Sequence, residues 1–101
     1  MFEGEYCIIR TINAGVHCGT VVSVTLSASS ATVVLENATR LYRWNKHPDG
    51  TLSLSGVSRN GAHANSRIDG VVEKIAVMGV IEILPCTDVA RQFLSVPRNN
   101  K

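Results

Sequence analysis

Charge is scarce in this sequence: charged residues make up 18% of its 101 positions against 45% apolar ones, and the formal net charge is +2. A balance that weak sets up no field to draw in bulk DNA, RNA or a membrane surface, so general nucleic-acid binding is not expected. It leaves room for a small anion met by a few arginines gathered locally. Cysteine is sparse as well. Cys7, Cys18 and Cys86 are odd in number and far apart, with no Cys-x-x-Cys pair and no histidine at metal-ligand spacing. No metal and no cofactor is expected; each thiol lies in or beside an apolar strand-like run, as buried free cysteines of a reducing compartment do. No apolar run approaches the about 20 residues that a membrane helix needs. The start, Met1-Phe2-Glu3-Gly4-Glu5, has neither the positive flank nor the apolar stretch of a secretory signal, so the expected location is the cytoplasm of the cell that makes the protein.

Catalytic signatures are missing too. There is no paired-histidine metal motif, no nucleophile elbow and no glycine-rich phosphate loop leading into a helix. What remains for an enzyme is His17 with Glu82 or Glu73, or His63 with Asp69, as an acid and base for nucleotide hydrolysis. His17, in an apolar strand just after a turn, reads more readily as a hydrogen-bonded structural residue. The expectation is a protein that is not an enzyme.

What the sequence does have is an apolar surplus arranged in short runs. About 100 residues bury one core and leave much apolar area outside, so residues 1–101 form one domain and part of that surplus is expected to meet a second copy. Tyr6 to Ile12 and Val16 to Leu26 read as strands joined by turn chemistry at Asn13-Ala14-Gly15. Ala31 to Glu36 is a third strand; Asn37-Ala38 is either a tight turn or a bulge before a fourth, Ala38 to Asn45. Pro48 and Asp49-Gly50 end that strand. Leu52 and Leu54 alternate with serines, giving a short strand or a single helical turn capped by Thr51. A polar loop is expected over about 55–70, with Arg59 to Arg67 as a ligand-covering segment. Val71 to Val77 and Val80 to Leu84 are two strands, or one strand bulged at Gly79. Thr87 or Asp88 caps a helix whose stripe is Val89, Ala90, Phe93 and Leu94, and a polar tail runs from about residue 97. The fold class is α+β, mostly β: an antiparallel sheet of five or six strands with one short C-terminal helix.

Ala38 to Asn45 is the stretch with chemistry to offer. Extended, it places Arg40, Tyr42 and Trp44 on one face and Leu41, Arg43 and Asn45 on the other. Rings and guanidinium planes suit a flat anion, and a nucleotide is the natural candidate; the bland alternative buries Tyr42 and Trp44 and leaves the arginines in water. In the binding reading Tyr42 or Trp44 stacks on a base, while Arg40 and Arg43, with Arg10 or Arg67, take phosphate. Asn13 and the backbone at Ala14-Gly15 supply a small anion nest. A chain this small has little room for a deep pocket, so the site is expected between subunits of a homo-oligomer.

Three blocks carry a family resemblance: Ile9-Arg10-Thr11-Ile12-Asn13-Ala14-Gly15-Val16-His17-Cys18-Gly19-Thr20, Val34 to Trp44, and Val80-Ile81-Glu82-Ile83-Leu84-Pro85-Cys86-Thr87. In that order they resemble a small domain family of unknown function encoded mainly by phages and prophages. That family has Ser-Ala-Gly-Val in place of Asn13 to Val16, an aromatic-rich run in place of Leu41 to Trp44, and Glu-Ile-Ile-Pro-Cys near the end. Here Arg43 replaces an aromatic and the Arg59 to Arg67 loop is longer, which alters the surface a ligand would meet. Size, sheet-rich make-up and phage origin are shared, by analogy and not by homology, with the Thoeris anti-defence and anti-CBASS sponges, and on that analogy the expected function is to sequester a cyclic oligonucleotide or an ADP-ribose-derived signal. The alternative is a protein–protein module, a virion accessory piece or an inhibitor of a host protein, which the arginine and aromatic mixture also suits.

Overall fold

The computed structural model describes residues 1–44 and 53–100. The expectations placed on Asn45, the turn at Pro48 and the Thr51 cap lie outside them.

Strand β1, Tyr6–Thr11, is buried on both faces. Tyr6 and Ile8 enter one core cluster, Cys7 and Ile9 another. A continuous apolar run is what a strand covered from both sides requires. Along its edges β1 pairs antiparallel with β2, Val16–Leu26, and with the end of β4, Arg67–Pro85. Strand β3, Ala31–Arg43, lies between β2 and β4, so the ladder runs β1-β2-β3-β4 and closes into a barrel.

The fold is mostly β and antiparallel, but the described residues form four strands, where five or six were expected. The difference comes from two bulges that resemble strand ends in the sequence. Asn37, at φ 51°, sits inside β3, and the register moves by one residue across it: Cys18 pairs with Thr39, Thr20 with Glu36. Gly79, at φ 72°, lies inside β4 where that strand leaves β3 for β1, so that Val80 pairs with both Ala31 and Thr11. A bulge bends a strand and lets the ladder continue on both sides, and glycine adopts this left-handed conformation at little steric cost. Between Asp69 and Met78, β4 has a ladder partner on its β3 side and none on the other among the described residues.

Among the described residues two short helices, not one, cover one side of the barrel. Helix α1, Leu54–Asn60, stands where a short strand or single turn was expected, and Ser53 caps it by accepting from the Gly56 N–H at 3.3 Å. Much of the stretch expected to be polar loop is therefore helix and core, with Val57, Ser58, Ala62 and Ser66 buried. Helix α2, Asp88–Leu94, is capped by Thr87. Its inward stripe is Ala90, Phe93 and Leu94, whereas Val89 is 62% exposed. Leu54, Val57, Ala90 and Leu94 complete the cluster begun by Tyr6 and Ile8; Val21, Val33, Leu35 and Val77 fill the barrel around Cys7 and Ile9. Burying each such aliphatic side chain contributes about 1.5–3 kcal/mol.

The residues after α2 do not trail away. Arg98 and Ile68 exchange backbone hydrogen bonds at 3.0 Å, and Asn99 Nδ2 donates to the carbonyls of Ala64 and Ser66. Pro97 rests so closely on Gly70 that a Cβ there would overlap its ring.

Thr87 fastens the helices together: its hydroxyl donates to Arg59 O at 2.6 Å and accepts from Ala90 N at 3.2 Å. Thr87→Ala is expected to lower the unfolding free energy by about 1–2 kcal/mol, and Thr87→Ser to keep most of it, in urea titrations followed by circular dichroism. Equal losses in the two variants would assign the effect to the methyl group instead.

Candidate functional site

The β1–β2 turn is held by Thr11. Its backbone N–H and its hydroxyl both donate to Gly15 O, at 3.2 and 2.8 Å, and the hydroxyl accepts from Ala14 N at 2.7 Å. Strand β3 runs past this turn with Arg40 opposite His17. Arg40 Nη2 donates to Ala14 O at 3.0 Å, and His17 Nε2 lies 2.8 Å from the same oxygen. A carbonyl oxygen only accepts, so Nε2 carries the proton. The 3.4 Å approach of Arg40 Nη2 to His17 Nε2 then joins two donors and is not a hydrogen bond. His17 is buried, and burial pushes its pKa below the ordinary value; the bond to Ala14 opposes that shift and the Arg40 charge adds to it. The imidazole is thus held neutral beside a guanidinium.

Between this turn and the end of β3 lies a groove of about 300 Å³, with Asn13 and Ala14 on one wall and Arg40, Tyr42 and Trp44 on the other. Arg40 is the one charged residue lining it among the described residues. Tyr42 is 61% exposed, and the Arg67 guanidinium sits over its ring at 4.5 Å from the centroid. Asp69 Oδ1 accepts from Arg67 Nε at 3.3 Å and so holds that cation over the ring. Trp44 is half-buried against the helix-side core and lines both this groove and an adjoining one of about 330 Å³.

Of the residues singled out in the sequence, Asn13, Arg40, Tyr42 and Trp44 come together in the groove, and Arg67 joins them through Tyr42. Arg43 does not line it: the β3–β4 register shifts between Leu41 and Arg43, and Arg43 Nη2 donates to Asn65 O at 3.3 Å. Arg10 stands in the adjoining groove, 3.8 Å from Glu82. The expected nest at Ala14-Gly15 is compromised because the Ala14 N–H is already committed to Thr11. His17, read in the sequence as a hydrogen-bonded structural residue, braces the Ala14 carbonyl of its own turn; Asp69, visible in the sequence only as a titratable group, braces Arg67 two positions before it on the same strand. No hydrogen bond joins His17 to Glu73 or Glu82, or His63 to Asp69, among the described residues; His63 Nδ1 accepts from Asn65 N at 3.1 Å.

The described residues contain no group of three or more His, Cys, Asp or Glu side chains placed to hold a metal ion. The cysteines are free thiols, and burial pushes Cys7 up to about 12, Cys86 up to about 11 and Cys18 upward as well. All three are protonated near neutral pH and poorly nucleophilic. No helix of the described residues is long and apolar enough to cross a membrane.

Fold and site together define a closed four-stranded antiparallel barrel with a helical cover and an arginine–aromatic groove beside one hairpin turn. The chain belongs to the family described as domain of unknown function DUF6948, whose model matches residues 4–94 and so spans every strand and both helices. No curated protein and no solved structure matches it.

The depressed pKa of His17 has a sign that can be checked. The neutral imidazole contributes stability that is fully present above the ordinary value of 6.5 and is lost as pH falls through the lowered folded value. Unfolding free energy should therefore decline as pH falls below about 7, from where the unfolded imidazole begins to take up a proton. His17→Gln, which keeps an N–H for Ala14, should flatten that part of the profile in denaturant titrations; an unchanged slope would mean His17 does not carry it.

Proposed function

We propose that this chain is a phage-encoded anti-defence protein that sequesters a nucleotide immune signal, a cyclic oligonucleotide or a cyclic ADP-ribose isomer, without cleaving it. The observation that carries the reading is the groove in which Arg40, Tyr42 and Trp44 stand across from Asn13 and Ala14. Aromatic rings offer a base a stacking surface, and a guanidinium offers phosphate a planar fork. Among the described residues Arg40 is hydrogen-bonded through Nη2 alone, which leaves Nε and Nη1 as donors for an anion. No carboxylate lines the groove among the described residues, so nothing there repels one. Its volume of about 300 Å³ is at the small end for an organic ligand, which favours a second copy supplying further walls. The resemblance to phage-borne domains supports the biological setting.

A thermal-shift panel of cyclic dinucleotides, cyclic trinucleotides and cyclic ADP-ribose isomers tests this. One member should raise Tm by several degrees and return unaltered after heat denaturation. Tyr42→Ala or Arg40→Ala should weaken its binding about tenfold or more, given about 1–3 kcal/mol per stacked base. A flat panel would reject the reading, and a chemically changed ligand would replace it with an enzyme.

The second reading, an interaction module serving the virion or blocking a host protein, is favoured by one observation. The open edge of β4 from Asp69 to Met78 carries Val71 and Met78 at 54% and 68% exposure. Unpaired edges with exposed apolar side chains recruit another strand. If this edge is the working surface, Val71→Lys with Met78→Lys should dissolve an oligomer seen by sedimentation velocity and leave nucleotide binding undetectable in both forms.

A further inference from the structure

A second groove, of about 220 Å³, opens on the far side of Arg40 between His17, Asp69, Val72 and Ile75. It is joined to the first at three points. Arg40 lines both grooves. Ala14, from the first, accepts the hydrogen bond of His17, from the second. Tyr42, from the first, lies under Arg67, whose ion-pair partner Asp69 belongs to the second. The two grooves are therefore neighbours that share Arg40 and two bracing contacts.

The chemistry of the two differs. The first offers aromatic rings and an unopposed cation. In the second, His17 donates from Nε2 to Ala14, so the ring nitrogen left for a ligand, Nδ1, accepts. Asp69 is a second acceptor, while the nearby Thr39 hydroxyl is spent on Leu94 O at 2.7 Å. Val72 and Ile75 add an apolar surface. Such a pocket suits a flat ring that donates hydrogen bonds from its edge, and an amino-bearing base does so.

We propose that the two grooves are halves of one site for a dinucleotide of amino-bearing bases. Its phosphate lies on Arg40, one base on Tyr42 and Trp44, and the other against Val72 with its amino group toward His17 and Asp69. This rests on the nucleotide-binding reading above and narrows it to a ligand with two bases flanking phosphate.

Calorimetric titrations with cyclic di-AMP, cyclic di-UMP and AMP test it. Cyclic di-AMP should bind at least about tenfold tighter than AMP and than cyclic di-UMP, which lacks amino groups. Val72→Arg, at a position 46% exposed, should fill the second groove and bring cyclic di-AMP down to the affinity of AMP while leaving AMP binding unchanged. The gentler Val72→Gln should give an intermediate loss at unaltered Tm. If AMP binds as tightly as cyclic di-AMP, or Val72→Arg leaves cyclic di-AMP untouched, while Tyr42→Ala still abolishes binding, the two-groove site is wrong and the nucleotide reading survives. Binding of a cyclic ADP-ribose isomer alone would likewise overturn the two-groove site and spare the broader reading. If no nucleotide binds at all, both fall.

Discussion

The barrel depends on β1 being enclosed from four directions. Its two edges are taken by β2 and β4, and its two faces by the barrel interior and the helical cover. Because β4 reaches β1 only after the full length of β3 and both bulges, the contacts that close the fold join the two ends of the sequence. Cys86 N donating to Tyr6 O at 2.9 Å is one such bond. Folds ruled by distant pairings gain their stability late, after the chain entropy of a long loop has been lost. The short helices have no independent standing; at this length they persist because Tyr6 and Ile8 give them something to cover.

The same closure makes a firm wall out of a hairpin turn. An exposed turn ordinarily has several conformations open to it, but here the Ala14 carbonyl is gripped by an imidazole and a guanidinium from neighbouring strands, and Thr11 ties the turn from beneath. A groove with its wall already set loses less entropy when a ligand arrives. The arrangement also explains why a neutral histidine sits against an arginine: one oxygen lone pair is offered to each, and the imidazole never needs a charge.

Much of this was legible from residue order. The run from Tyr6 to Ile12 read as a strand, the Asn13-Ala14-Gly15 turn as a hairpin, and Thr87 or Asp88 as a cap, of which the structure uses Thr87. Alternation set Arg40 and Tyr42 on the face opposite Leu41 but left open which face meets the core; the structure buries Leu41 and exposes Arg40 and Tyr42. What was hidden depends on register. Asn37 and Gly79 carry the same chemistry whether they reverse a chain or merely bend it, and only the partner strand decides between the two. Helix α1 was obscured because Gly56 and three serines among residues 53–58 favour helix poorly; burial of Leu54 and Val57 outweighs that preference. Arg43 and Arg10 were drawn toward the groove by type alone, whereas a shift near the end of β3 and an acid across the β1–β4 ladder take them elsewhere.

Gly70 borders the second groove on one side and carries the Pro97 ring on the other. A methyl group added there would meet proline before it met any guest, and would lift the closing segment from the bridge that Arg98 makes with Ile68. Variation at this position therefore acts as a latch on the C-terminal strap, loosening the chain's end while the chemistry of the recess beside it stays the same.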